Sequence, residues 1–158
     1  MLFVLTGCGD DQDGPPPDVV DADRGRIADV INETRDAVVS GEFGTVCDNL
    51  INDGEFMIGA LGDDFPDEDS CVDVLDAAFA DSTEAERRKF AGEGPYRPAY
   101  VDVTPADDPG FNDSTDTVPE GGPREVQVPC LEGDGNAWFA EHQSDGSWEL
   151  AVPFCSGR

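Results

Sequence analysis

The five cysteines carry the most specific chemistry in this chain. Setting Cys8 apart leaves Cys47, Cys71, Cys130 and Cys155, an even number that suits disulfides in an oxidising compartment. Three pairings are open. The local one, Cys47 with Cys71 and Cys130 with Cys155, is expected because each pair falls inside one structural region, helical for the first and strand-like for the second. Closing a loop of about 25 residues adds roughly 3–4 kcal/mol on the chain-entropy account. A zinc site is not expected, since no two cysteines stand at Cys-x2-Cys spacing and the chain has one histidine. That residue, His142, lies in Ala-Glu-His-Gln-Ser-Asp-Gly and reads as an exposed hairpin-tip side chain with no cavity to tune it as a general base. Tyr96 and Tyr100 are the candidates for lining a ligand pocket, whereas Trp138 and Trp148 read as cross-strand core neighbours flanking one hairpin. Acidic runs at Asp10, Asp11 and Asp13, at Asp63 to Asp69 and at Asp107 and Asp108 offer oxygen ligands. None fits the twelve-residue calcium loop with Gly at its sixth position and Glu at its twelfth. No Gly-x-Ser-x-Gly elbow and no phosphate-cradling Gly-Lys-Ser loop occurs, so neither a metal nor a cofactor is expected.

The remaining cysteine has a different setting. Leu5-Thr6-Gly7-Cys8, an apolar stretch ending in a small polar residue, Gly and Cys, resembles the lipobox of bacterial lipoproteins. The resemblance implies cleavage before Cys8, acylation of that residue, and attachment to the outer face of the cell membrane. Residues 1–7 then read as a truncated lipoprotein signal, and residues 8–20, with Pro15, Pro16 and Pro17, as a tether whose prolines favour an extended polyproline conformation. Five apolar residues cannot span a bilayer, which takes about 20. Thirty-six acidic against nine basic residues give a net charge of −27, which excludes nucleic acid as a partner and also repels anionic headgroups. Membrane contact is therefore expected through the lipid on Cys8. The acidity is as readily a mark of a salt-adapted habitat as of a cation partner.

The elements that must position these residues follow from periodicity. Ile27, Val30, Ile31, Ala37 and Val38 recur at three- and four-residue steps, predicting an amphipathic helix of about 18 residues from Asp21, capped by Asp21 or Asp23 and ending at Ser40-Gly41. A second helix is predicted over Phe43 to Ile51, with Phe43, Val46, Cys47, Leu50 and Ile51 on one face. Asn52 to Asp69 reads as a loop with a short helical or irregular middle around Phe56 to Leu61. A further helix is expected from Ser70, with Val72, Leu75, Ala78 and Phe79 inward. Another spans Thr83 to Phe90, where Ser82 or Thr83 caps the start and Arg87-Arg88-Lys89 complements the dipole at the end. Beyond Gly92 the period changes to two. Strands are predicted at Tyr100 to Thr104, Glu125 to Cys130, Ala137 to Glu141 and Trp148 to Val152, with a long acidic connection over Pro105 to Gly122. Turns at Glu132 to Gly135 and at Ser144 to Ser147 sit at hairpin distance. Residues 21–158 thus form one α+β domain, helices before an antiparallel meander.

Taken together, the Cys8 motif, the tether, the Gly41-Glu42-Phe43 turn leading to Cys47 and Leu50, and the Asp145-Gly146-Ser147-Trp148 hairpin resemble small actinobacterial lipoproteins with a nuclear transport factor 2-like, or cystatin-like, domain. The resemblance covers about Asp21 to Cys155, and the acidic insert departs from it. It implies N-terminal helices packed on a curved, cone-like antiparallel sheet with a pocket beneath them. Relatives use that pocket for binding or, in an isomerase and dehydratase branch, for catalysis by carboxylates and tyrosines. Catalytic residues of that branch do not map onto this chain one by one. The expected function is therefore a non-catalytic binding domain for a protein partner or small apolar ligand, against an isomerase- or dehydratase-type enzyme with a pocket carboxylate, or a structural surface domain without ligand. An Asp or Glu in contact with a Tyr, with no other charge to explain it, would favour the enzyme.

Overall fold

The computed structural model of the chain describes residues 17–101, 104–105, 125–132 and 135–155. Cys8 with the segment through Pro16, the acidic stretch 106–124 and the Gly133-Asp134 turn lie outside the described residues, as do the expectations placed on them. Five helices precede a sheet: α1 (Pro17–Ser40), α2 (Phe43–Asp48), α3 (Glu55–Leu61), α4 (Cys71–Ala78) and α5 (Glu84–Ala91), then β1 (Thr104–Pro105), β2 (Glu125–Pro129), β3 (Ala137–His142) and β4 (Trp148–Leu150). The strands pair antiparallel in chain order, with β2, β3 and β4 as the body of the sheet and two-residue β1 at its edge. This is the α+β layout expected from the change of period.

Helix α1 is the spine, packing against α2, α5 and β4. It begins a turn earlier than expected, because Pro17 tolerates the first helical turn, where its missing N–H is not needed. Residues 17–20 therefore belong to the helix and not to the tether, and Asp21 and Asp23 lie inside it, not at its cap. Asp23 is buried beside Arg26, 3.7 Å away. The predicted stripe of Ile27, Val30, Ile31, Ala37 and Val38 is buried in full. At the far end Gly41 takes φ +80, and the N–H groups of Gly41 and Glu42 return to the carbonyls of Val38 and Ala37, closing the helix with a Schellman turn.

Helix α2 stops at Asp48, short of the predicted Ile51. Asn52, Asp53 and Gly54 all have positive φ (52°, 52° and 74°), which breaks the helical run; Asn and Asp are the non-glycine residues that tolerate this region best. The chain then wraps the edge of β4: the Leu150 N–H donates to the Asn49 carbonyl (2.8 Å), Leu50 bridges Leu150 on the inner side, and Ile51 covers Phe139, Ala137 and Ala151 on the outer side. Ile51 thus leaves the face it was assigned to. Gly54 is required twice, by its φ and because a Cβ there would collide with Cys71 Sγ.

Helix α4 is capped by Ser70, whose hydroxyl accepts from the Asp73 N–H (3.2 Å), and it buries Cys71, Val74 and Leu75. Val74 replaces Ala78, which is exposed; Val72 and Phe79 pack at the margin. Both disulfides form as expected: Cys47–Cys71 ties α2 to α4, with Cα atoms 6.1 Å apart, and Cys130–Cys155 ties the end of β2 to the segment after β4, at 6.0 Å. Of the strand expected over Tyr100 to Thr104, Tyr100 instead ends a 3-10 turn, Pro98–Tyr100, started by proline, while Thr104 does lie in a strand, β1; residues 102 and 103 are outside the described residues.

Val126, Val128, Trp138, Ala140, Trp148 and Leu150 make the inner face of the sheet against the helices. Trp138 and Trp148 share that face but are not cross-strand neighbours, since Trp138 pairs with Val128 and Trp148 with His142. His142 is the last residue of β3, not a hairpin-tip residue, and its ring lies 5.0 Å from that of Trp148. The β3–β4 hairpin turns at Gly146, φ +88, and Asp145 holds it by accepting from the Ser147 N–H (2.9 Å) and hydroxyl (2.6 Å). Those bonds keep the Asp145 carboxyl below its ordinary range.

Candidate functional site

Three side-chain placements on α1 and α5 build a groove out of the segment that follows α5. Asn32 clamps the main chain of Tyr96 on both sides, its amide donating to the Tyr96 carbonyl (2.8 Å) and its oxygen accepting the Tyr96 N–H (2.7 Å). One turn on, Arg35 donates to the Gly92 carbonyl (2.8 Å). Arg87, on the inner side of α5, donates to the Val39 carbonyl (3.0 Å) at the end of α1 and to the Ser82 carbonyl (2.8 Å). The expectation that the basic triplet serves only the dipole of its own helix is corrected for Arg87, which joins two helices.

With α5 held in this way, its Ala85, Arg88 and Lys89 form one wall of an open groove of about 660 Å³. Gly92, Glu93 and Gly94 form the rim, Leu131 and Glu132 at the end of β2 form the opposite wall, and Arg35 contributes from below. Glu132 is fixed by the Glu93 N–H (2.8 Å). A side chain at Gly92 would come within 3.1 Å of the Glu132 carboxylate, and one at Gly94 would collide with the Arg35 guanidinium. The two glycines therefore let a buried cation and a surface carboxylate approach the same piece of backbone.

Arg35 is 9% exposed, in a chain where Lys and Arg are scarce. Three of the nine basic residues, Arg35, Arg88 and Lys89, line this groove. Sequence reasoning missed Arg35. The signal was its spacing: it stands four residues after Ile31 and three before Val38, so a cation occupies a position on the buried stripe.

Tyr96, singled out as a pocket residue, lies inside the core at 4% exposure and does not line the groove. Its hydroxyl accepts from Trp138 Nε1 (3.1 Å) and from the Leu131 N–H (3.2 Å), and it sits 3.9 Å from Cys155 Sγ. Burial pushes its pKa above the ordinary value of 10, against the two donors, which lower it. It is a neutral structural phenol. Tyr100 ends the 3-10 turn, and its side chain is outside the described residues.

No family model matches the chain, and neither a curated protein nor a solved structure does. Among the described residues no group of three His, Cys, Asp or Glu side chains is placed to hold a metal ion, and no helix is long and apolar enough to cross a membrane.

Proposed function

We propose that this chain is an exported lipoprotein of the small actinobacterial kind, anchored to the outer face of the cell membrane through acylated Cys8, whose α+β domain binds a partner without catalysis. What supports the reading is the pair of disulfides, Cys47–Cys71 and Cys130–Cys155, which belong to an oxidising compartment and account for every cysteine except the one in the Leu-Thr-Gly-Cys setting. The helices-on-sheet layout is compatible with the nuclear transport factor 2-like, cone-shaped fold that the sequence resembles. Within it, Trp138, Tyr96, Val126 and Val128 fill the space beneath the helices, which favours a protein or polar partner at the surface over a small apolar ligand inside.

The enzyme reading gains less. Glu132 lies close enough to raise the pKa of Tyr96, but the charge of Arg35 acts on the same hydroxyl in the opposite sense. The carboxylate near the tyrosine thus has a cation to account for it. Expression in a bacterial host with a complete export signal, followed by membrane fractionation and intact-mass measurement, tests the anchor. Acyl chains on Cys8 and release of a Cys8→Ser variant from the membrane are expected; a free Cys8 thiol on the exported protein would overturn the proposal.

A further inference from the structure

We infer that the groove between α5 and the end of β2 binds a zwitterion, a free amino acid or the ends of a short peptide, with its carboxylate on Arg35 and Lys89 and its ammonium on Glu93 and Glu132. This takes up the binding reading above and names the ligand chemistry. The argument is one of charge. The groove carries Arg35, Arg88 and Lys89 against Glu93 and Glu132, and Arg88 is already paired with Glu84 at 2.5 Å. Counting that partner, three cations face three carboxylates, so the site is neutral as a whole and strongly polar in its parts.

A chain of net charge −27 repels any ligand with net negative charge at long range, and a phosphate dianion would also meet Glu93 and Glu132 within the groove. A zwitterion carries no net charge to repel, and each of its ends finds an opposite charge at hand. Arg35 adds direction. Arg35 as a residue is nine-tenths buried and its guanidinium is held by the Gly92 carbonyl, so it meets a carboxylate without first losing side-chain freedom. Leu131, 37% exposed, and Ala85 supply an apolar surface for the body of the ligand. The volume of about 660 Å³ falls in the range of small-ligand sites and exceeds what one small amino acid fills, which favours a short peptide.

Calorimetric titration of the disulfide-intact protein at physiological salt tests this, using triglycine, N-acetyl-triglycine, triglycine amide and inorganic phosphate. Triglycine is expected to bind with Kd below about 1 mM, and each blocked peptide at least tenfold more weakly. The surface variant Arg88→Gln/Lys89→Gln should lose at least tenfold in triglycine affinity, with an unchanged melting curve as evidence of folding, while Arg26→Gln on the remote part of α1 binds as wild type. No heat with triglycine at about 10 mM overturns the inference. So does binding that survives either block or the double variant, and so does phosphate binding in place of the peptide. None of these results bears on acylation of Cys8, which is read by mass alone.

Discussion

Tyr96 shows how much of this molecule is settled by single polar atoms. Its N–H, carbonyl and hydroxyl are all bonded, to Asn32, Trp138 and Leu131, and they join α1, the segment after α5 and the sheet. Tyr96→Phe keeps the ring but leaves Trp138 Nε1 and the Leu131 N–H without their acceptor. A loss of about 2–3 kcal/mol in unfolding free energy is expected, read from urea denaturation followed by tryptophan fluorescence. Glu149 lies at the other extreme, on the outer face of the sheet. Burial first, then the charges of Asp145, Asp53 and Glu141, raise its pKa above 4.5. The native state therefore holds this proton more tightly than the unfolded chain does, so the contribution is full below the ordinary glutamate range and is lost as pH rises through the folded pKa. Glu149→Gln should accordingly raise the melting temperature at pH 7, and the gain should vanish below about pH 4. Neither role was legible beforehand. A tyrosine outside any periodic element gives no sign of its partners, and Glu149 is crowded by Asp53, 96 residues earlier in the chain.

At the scale of elements, the capping chemistry was readable because it is local. Thr83 accepts from the Glu86 N–H (3.3 Å) while the Glu86 carboxylate accepts from the Thr83 N–H (2.7 Å), a capping box that also keeps the Glu86 carboxyl below its usual range. Thr83→Ala should cost about 1 kcal/mol, measured by thermal unfolding at neutral pH. The existence and order of α1, α2, α4, α5 and of β2 to β4 followed from periodicity, since a stripe such as Ile27, Ile31 and Val38 is itself the cause of burial, whereas α3 lies in what read as a loop with a short helical or irregular middle. What failed was where non-local forces act. Ile51 fits the α2 face by spacing, yet three left-handed residues after it turn it to the other side of the sheet. Tyr100 to Thr104 alternates like a strand, but Pro98 starts a 3-10 turn that takes in Tyr100, and among the described residues β2 pairs with Thr104 and Pro105. The groove was hidden for a similar reason: its walls come from α1, α5 and the end of β2, and no stretch of sequence contains them together.

For the whole molecule, charge and covalent closure pull in opposite directions. The acidic excess behind the chain's net charge of −27 makes the parts of the folded domain repel one another, and salt screens that repulsion. Raising NaCl from about 20 mM to about 500 mM should lift the melting temperature by roughly 5 °C, recorded by calorimetry; a falling value would mean that ion pairs such as Arg88–Glu84 outweigh the repulsion. Against it stand two disulfides, each spanning about 25 residues and each confined to one layer, the first among helices and the second at the end of the sheet. Seen as a graph of covalent bonds, the chain is two closed rings, 47–71 and 130–155, joined by one open thread, 72–129. A protease that cuts inside either ring leaves one connected molecule. A single cut anywhere on the thread yields two pieces with only non-covalent contact between them, one carrying α1 to α3 and the other β3 and β4. Limited digestion resolved on a non-reducing denaturing gel should therefore separate fragments for a cut between the rings or in the open tails 1–46 and 156–158, and none for a single cut inside a ring.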